Sequence, residues 1–259
     1  MLRVALTIAG SDPSGGAGIQ ADLKTFHQFQ TYGMSVITLI TVQNTKTVEQ
    51  VKILDPDLVT AQLKCVIDDI QPHAVKTGAL GNAEVADALS SKFEKFNFPL
   101  VVDPVLVSKH GKLLLDSDGE FVLRKQIIPQ AYLVTPNLEE ASRLSERDVT
   151  DLKSMDQAAI TISKLGARNV LIKGGHLIDD ATDILYHEKQ IIKLPSQRIE
   201  TRNTHGTGCT YSAAITAMLA KNHKLIDAVQ IAKKYVTEAI RQNPELGSGQ
   251  GPVNHLVRV

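Results

Sequence analysis

The string Asn203, Thr204, His205, Gly206, Thr207, Gly208, Cys209, Thr210 stands directly before an apolar helical run containing Ala213, Ala214, Ala217 and Met218. Glycines at a helix start let backbone N–H groups converge on an anion, and the helix dipole adds partial positive charge there. Phosphate is the guest such a loop suits. A glycine pair by itself would equally fit an ordinary helix start with Thr207 as N-cap; the eight-residue string is far more specific. A second glycine cluster, Gly16, Ala17, Gly18 and Ala21, fits the G-x-G-x-x-A form of a dinucleotide fingerprint, which would make the chain an oxidoreductase. Two features oppose that reading. The first strand ends near Ala9, leaving Ser11 to Gly15 as an intervening loop, and the second ends at Val42 and Gln43 without the acidic residue that bonds the ribose.

Apolar runs rich in Val, Ile and Leu alternate with segments of helical period, and these elements must position the loops. A strand Leu2 to Ala9, a helix Ala17 to Phe29 and a strand Ser35 to Val42 form a β-α-β opening, with the first strand breaking at Gly10. A helix near Asp57 to Ile70, a strand His73 to Lys76, a helix Ala83 to Phe96 and a strand Leu100 to Val102 repeat the pattern. Runs this apolar are buried on both faces, which indicates a parallel sheet. A glycine-containing loop, Pro104 to Leu115, leads to a helix ending near Gln126 and a short strand, Ala131 to Val134; helices and strands then recur, with Asn169 to Lys173 the clearest strand. Two β runs in Thr182 to Leu194 predict a hairpin at the sheet edge around His187, Glu188 and Lys189. Long helices at Thr207 to Lys221 and Leu225 to Asn243 follow. The polar and glycine residues collect after strands, where an open α/β sheet places its ligand crevice.

At 259 residues, without a repeat or linker that would split it, the chain is expected to be one domain spanning 1–259. Lys plus Arg and Asp plus Glu balance at 28 each, so the basic excess of a nucleic-acid binder is missing. No run approaches the roughly 20 apolar residues of a membrane span, and the opening run is too short for a signal peptide. Cys65 and Cys209 read as free thiols of a reducing compartment. These features predict a cytoplasmic protein whose partners are small molecules.

The motifs also stand in a recognisable order. Thr7 through Asp22 is followed by Gln43, Asn44 and Thr45, then Lys76, Thr77 and Gly78, then Asp103, Pro104 and Val105. Thr135, Pro136 and Asn137 with Glu140, then Lys173, Gly174, Gly175 and His176, precede the loop ending in Cys209. Over nearly its whole length the chain thus resembles the hydroxymethylpyrimidine kinase and phosphomethylpyrimidine kinase family of the ribokinase superfamily. The resemblance implies a three-layer αβα sandwich with a mainly parallel central sheet, ribokinase-like, and a homodimer. It implies a kinase that uses ATP and Mg²⁺ to phosphorylate 4-amino-5-hydroxymethyl-2-methylpyrimidine to its monophosphate and then its diphosphate, in thiamine biosynthesis.

Site residues follow from the resemblance position by position. ATP phosphates are expected over Gly206, Thr207, Gly208 and Cys209, with Asn137 and Lys173 also on the nucleotide and Lys173 as a fixed point charge. The pyrimidine is expected near Ala17, Asp22, Gln43 and Lys76. A carboxamide both donates and accepts, so Gln43 suits the edge of an aminopyrimidine, and Asp22 could accept from its amine; taken alone, Gln43 would read as a loop amide bonding backbone. Asp103 and Glu140 are expected to hold Mg²⁺ largely through waters, although Asn137 and Glu140 also match a capping box. Cys209 stands where sugar kinases of this superfamily carry an aspartate base, and a thiol at a helix N-terminus is expected to be poised near neutral pH. Without the family match it would read as a small packing residue, the reading given to Cys65. The loop Val107, Ser108, Lys109, His110, Gly111 resembles a flap that could bring Lys109 to the phosphates.

The alternatives are a non-catalytic vitamin-binding module, opposed by Asp103, Glu140, Lys173 and Cys209 together, and a pyridoxal kinase of the same fold. Ala79, where many relatives have a bulkier Met, would widen the pocket for such a substrate.

Overall fold

A computed structural model of the chain describes residues 2–109, 111–175, 177 and 181–258, so His110 and His176 lie outside the described residues. The first strand, β1 (Val4–Ser11), is followed by α1 (Gly18–Gln28), β2 (Tyr32–Gln43), β3 (Val48–Ile53), α2 (Pro56–Asp69), β4 (Ala74–Thr77) and α3 (Ala83–Phe93). Then come β5 (Leu100–Val102), α4 (Ser117–Val122), β6 (Leu133–Val134), α5 (Leu138–Ser145), α6 (Leu152–Ser163) and β7 (Val170–Ile172). A hairpin of β8 (Asp183–His187) and β9 (Gln190–Leu194) precedes α7 (Thr207–Ala220) and α8 (Leu225–Arg241). Among the described residues the strands form one sheet in the order β3-β2-β1-β4-β5-β6-β7-β8-β9. Strands β2, β1, β4, β5, β6 and β7 run parallel, while β3, β8 and β9 pair antiparallel at the two edges.

Alternation along the strands divides the interior into two cores. Leu6, Ile8, Val75, Leu100, Val102, Val134, Val170 and Ile172 point to the side covered by α2 to α6. Ala5, Ala74, Val101, Leu133 and Leu171 point the other way, onto Phe26 of α1 and the apolar faces of α7 and α8. The expected three layers result, and the central strands are mostly apolar because both of their faces are buried, with exceptions such as Lys76 and Thr77 of β4. Helix α7 is buried nearly all round, flanked by α1 and α8 and packed on β1, β4 and β5.

The order of connection creates the crevice. From β1 the chain moves outward to β2 and β3, then returns to place β4 on the opposite side of β1. The loops leaving β1 and β4 therefore diverge, the switch point at which open α/β sheets bind ligands.

Three local readings differ from the sequence expectation. Gly10 does not end β1: the strand continues to Ser11 with a register shift between Ala9 and Ser11, and the glycine leaves room for Leu39, which any Cβ there would strike. Strand β3, Val-Glu-Gln-Val-Lys-Ile, was not anticipated, because an exposed edge strand lacks the apolar run of the central ones. The helix expected to end near Gln126 widens through a π turn, Leu123–Ile127, and closes in a 3₁₀ turn at Ile128–Gln130 that contains Pro129. The predicted hairpin does form at the sheet edge. Its Glu188 and Lys189 both have positive φ, 49° and 63°, as a two-residue turn matching the strand twist requires.

The segment after α8 folds back over the start of α7. His205 bridges to Pro252, His205 N donates to Gly251 O at 3.0 Å, Thr210 Oγ1 lies 3.1 Å from His255 Nε2, and Tyr235 Oη donates to His255 O at 2.9 Å. Burial, helped by the charges of Lys24 and His205, pushes His255 down to about 4 from its ordinary 6.5. Between those values the unfolded chain binds the proton and the folded one does not, so stability is present above pH 6.5 and lost as pH falls toward 4. Urea unfolding at pH 7 and pH 4.5 should therefore show the native protein losing up to about 3 kcal/mol more than His255→Gln. Equal losses would place the acid-sensitive group elsewhere.

Candidate active site

The C-terminal ends of the parallel strands deliver the polar residues to one edge of the sheet. Gln43 closes β2, Lys76 lies in β4, Asp103 follows β5, Thr135 and Asn137 follow β6, and Lys173 follows β7. Facing them is the start of α7, whose N-cap is Gly206, not Thr207. Gly206 has φ 77° and provides no side-chain cap, and a Cβ on it would collide with the carbonyl of Gly16. Thr207 spends its hydroxyl on Thr204 O at 2.8 Å. An uncapped helix start thus faces a cleft of about 880 Å³ lined by residues from all these loops.

Two ion pairs form the cleft floor. Lys76 Nζ lies 2.8 and 2.9 Å from the two oxygens of Asp22, both side chains fully buried, and Thr7 Oγ1 donates to Asp22 at 2.6 Å. Burial alone would depress the Lys76 ammonium, but the charges of Asp22 and Asp103 overcome it and hold Lys76 above the ordinary lysine range. Nearer the opening, Lys173 Nζ lies 2.9 Å from Asp103 Oδ1 and 4.0 Å from Glu140 Oε2. Thr135 and Ser212 donate to the same Asp103 carboxylate at 3.2 and 3.1 Å. Burial opposes ionisation of Asp103, yet Lys173 and Lys76 hold it below the usual carboxylate range. Glu140 behaves oppositely: burial, with repulsion from Asp103 only partly offset by Lys173, raises it to about 7. Its carboxylate also completes the capping box of α5, accepting from Asn137 N at 2.8 Å while Asn137 Oδ1 accepts from Glu140 N at 2.9 Å. Gly208 sits beside this cluster; a Cβ there would stand 3.3 Å from Lys173 Nζ and 3.9 Å from Asp103 Oδ2.

The structure corrects three expectations. Asp22 does not face the cleft, and its carboxylate is occupied by Lys76 and Thr7, so it is unavailable to accept from a bound amine. Lys76 reaches the floor from below, with its ammonium committed to Asp22. Cys209 is not poised near neutral pH: burial pushes its thiol up to about 12, with Asp22 and Asp103 adding to the effect against Lys76 and the Gly18 N–H. Ala17 lines the cleft, but its N–H donates to Asp12 Oδ2 at 2.9 Å. Lys109 also lines the cleft, and burial lowers its ammonium below the ordinary range.

The sequence reading assigned no role to Asp12 or His205, which the fold brings together across 193 positions. His205 Nε2 lies 2.8 Å from Asp12 Oδ2 and 3.3 Å from Gln43 Nε2, and Gln43 Oε1 lies 3.2 Å from Thr41 Oγ1. Both residues stood in glycine-rich motifs, but nothing in their spacing signals the pairing. Equally unforeseen is one cleft wall from α8, carrying Lys233, Val236 and Ile240.

Residues 12–254 match the family model of phosphomethylpyrimidine kinase. The chain belongs to that family. A hydroxymethylpyrimidine/phosphomethylpyrimidine kinase of Rhizobium meliloti is 46% identical over 262 residues, covering 100% of this chain and 98% of that protein. The thiamine biosynthesis bifunctional protein ThiED of Geobacter sulfurreducens is 47% identical over 254 residues, and the chain spans about half of it, 52%. Among solved structures, an ADP complex of Bacillus subtilis pyridoxal kinase superposes with a TM-score of 0.91 at 39% identity, covering 98% of each chain. The family member is thus a kinase by descent, with the ribokinase-like fold of its structural neighbours. No helix among its described residues is long and apolar enough to cross a membrane.

If the Asp22–Lys76 pair is a buried support, Asp22→Asn should destabilise the kinase by about 3–5 kcal/mol, because it strands a desolvated ammonium. Thermal or urea unfolding measures this. A stable variant with only a raised KM would show that Asp22 reads the ligand directly.

Proposed function

We propose that this family member transfers the γ-phosphoryl group of ATP to the hydroxymethyl oxygen of 4-amino-5-hydroxymethyl-2-methylpyrimidine, and then a second one to the resulting phosphate. One observation carries the reading: the uncapped start of α7 meets Lys173 and Asp103 at Gly208, so backbone donors and an ammonium converge on one point. Phosphoryl transfer asks mainly for positioning and for neutralisation of charge, with little covalent work by the protein. In the first step the alcohol O–P bond forms, the bond to the departing ADP breaks and the alcohol proton is lost.

The roles follow the geometry. Gly206, Gly208 and Cys209 present their N–H groups to the transferring phosphoryl group beside Thr207, whose own N–H is given to Thr204 O at 3.2 Å; Lys173 supplies a point charge, and Asn137 borders the nucleotide. Gln43 reads the edge of the pyrimidine, with Ala17 against the ring. Among the described residues no group of three His, Cys, Asp or Glu side chains could cage a metal ion. Two buried carboxyl groups beside one lysine, one of them raised to about 7, nevertheless suit the water shell of a cation. Asp103 and Glu140 would hold it there. Mg²⁺ in that place would neutralise charge on the ATP phosphates.

Residues 1–259 act as one kinase domain in this reading, working in the cytoplasm. Pairing as a homodimer is supported by Ile40 and Val42, which expose 45% and 49% of their surface on β2. A second substrate, pyridoxal, is favoured by the structural match to a pyridoxal kinase and by the small Ala79 lining the cleft. An ADP-release assay with hydroxymethylpyrimidine, its monophosphate and pyridoxal tests both readings. We expect turnover of the first two; no ADP release with either would overturn the proposal.

The two steps differ in their need for a base, since the alcohol must lose a proton and the anionic monophosphate need not. A thiol raised to about 12 is protonated in the resting enzyme, and its thiolate fraction grows about tenfold per pH unit below that value. If Cys209 takes the alcohol proton, the first step should accelerate from pH 7 to 9 while the second stays nearly flat, and Cys209→Ala should remove the difference. Identical pH profiles for the two steps in the native enzyme would exclude Cys209 as the base.

A further inference from the structure

Asp12 and His205 lie at the cleft wall outside the phosphate machinery, both about 95% buried, yet His205 touches Gln43. Asp12 accepts four hydrogen bonds. Ser14 N and Ser14 Oγ donate to Oδ1 at 2.9 and 2.7 Å, and Ala17 N and His205 Nε2 approach Oδ2 at 2.9 and 2.8 Å. A carboxylate accepting at every site has no room for its own proton, and these bonds hold Asp12 below the ordinary carboxylate range despite burial. Hence the imidazole must carry a proton on Nε2, since a bare nitrogen would place two lone pairs against each other.

That proton decides the orientation of Gln43. An N–H on His205 Nε2 cannot accept from an amide NH₂, so the 3.3 Å approach of Gln43 Nε2 would set donor against donor. Exchanging the nearly isosteric ends of the carboxamide removes the conflict. The carbonyl oxygen then faces the imidazole and shares, as the weaker acceptor of a three-centre bond, the N–H already given to Asp12, and the NH₂ donates to Thr41 Oγ1 at the 3.2 Å separation, while Thr41 gives its own proton to Ser11 O at 3.1 Å. We propose that the Asp12–His205 pair locks the Gln43 carboxamide in this orientation, making it a one-way reader that accepts on its His205 side and donates on its Thr41 side.

The imidazole has little freedom to relax. A Cβ on Gly16 would strike its ring, Gly251 and Val253 hold its backbone, and Asn203 beside it accepts from Gly251 N at 3.1 Å. A freely rotating carboxamide matches either order of donor and acceptor; a locked one matches only one. Resting on Gln43 as the reader of the pyrimidine edge, the lock selects an amine beside a bare ring nitrogen and rejects the 4-oxo analogue, whose carbonyl and ring N–H present the reverse order. Asp12 and His205 are positioning residues here, acting through Gln43.

The decisive measurement is a neutron crystal structure of the deuterated full chain. It should show deuterium on His205 Nε2 directed at Asp12, and the ND₂ of Gln43 facing Thr41. A bare Nε2, or ND₂ facing His205, would overturn the lock. In parallel, kcat/KM for the 4-amino alcohol should exceed that for the 4-oxo alcohol by about 10²-fold or more, as a site built to match polar groups rejects their mismatch. His205→Gln should narrow the ratio by at least tenfold, mainly through KM for the amino alcohol, with KM for ATP unchanged. Equal turnover of both alcohols by the native enzyme would also refute the lock. Turnover of neither would refute the substrate assignment, leaving the neutron map to judge the orientation.

Discussion

A desolvated ammonium must find a carboxylate, and most of this active site is arranged around that requirement. Lys76 is fully buried beneath the cleft and is held by Asp22 from α1; Lys173 is mostly buried at the opening and is held by Asp103 after β5. The two pairs join β4 to α1 and β7 to β5 through side chains instead of through the sheet ladder. Hydrogen bonds from Thr7, Thr135 and Ser212 extend the network to β1, the β6 loop and α7. Charge compensation therefore fixes the relative placement of the elements that carry the cleft. A cleft meant for polyanionic guests can hold two lysines in this way without leaving either unpaired when empty.

Backbone contact sets the second constraint. The glycine-rich loop after β1 and the loop before α7 touch main chain to main chain, since a side chain on Gly206 would meet Gly16 O. Close approach of this sort excludes water and leaves the loops few ways to move apart without losing the Asp12–His205 contact. The loop before α7 and the Gln43 side of the cleft are thereby joined as one unit. Precision at the reacting atoms follows from that rigidity, because misplacement by about 1 Å is costly for phosphoryl transfer.

Much of this was legible in the sequence, for identifiable reasons. Central strands such as β5 and β7 announce themselves because burial on two faces demands unbroken Val, Ile and Leu. That the loop before α7 would line the cleft was legible because few other duties call for glycines at positions 206 and 208 just before an apolar helix. Strand β3 was not, since only pairing with β2 makes Val48–Ile53 a strand. Nor could sequence reveal that Asp22 points downward into Lys76: a polar residue in a glycine-rich motif looks the same whether it faces a ligand or supports the floor. The Cys209 expectation failed on a related point. A helix N-terminus favours a thiolate, but burial beside Asp22 and Asp103 opposes it more strongly, and burial is a property of the folded chain alone.

The same reasoning separates Glu140 from Asp103, although both are buried carboxyl groups next to Lys173. Asp103 has the ammonium at 2.9 Å and two hydroxyl donors, whereas Glu140 has it only at 4.0 Å and spends an oxygen on its helix cap. One lysine cannot fully neutralise two carboxylates, so the more distant group retains the deficit and is raised to about 7. An additional cation near the pair would remove that deficit and favour the ionised form of Glu140. A cation bound there would consequently be linked to proton release, and the direction of the linkage follows from the charge count: without it Glu140 holds a proton more readily, and with it the proton would be given up.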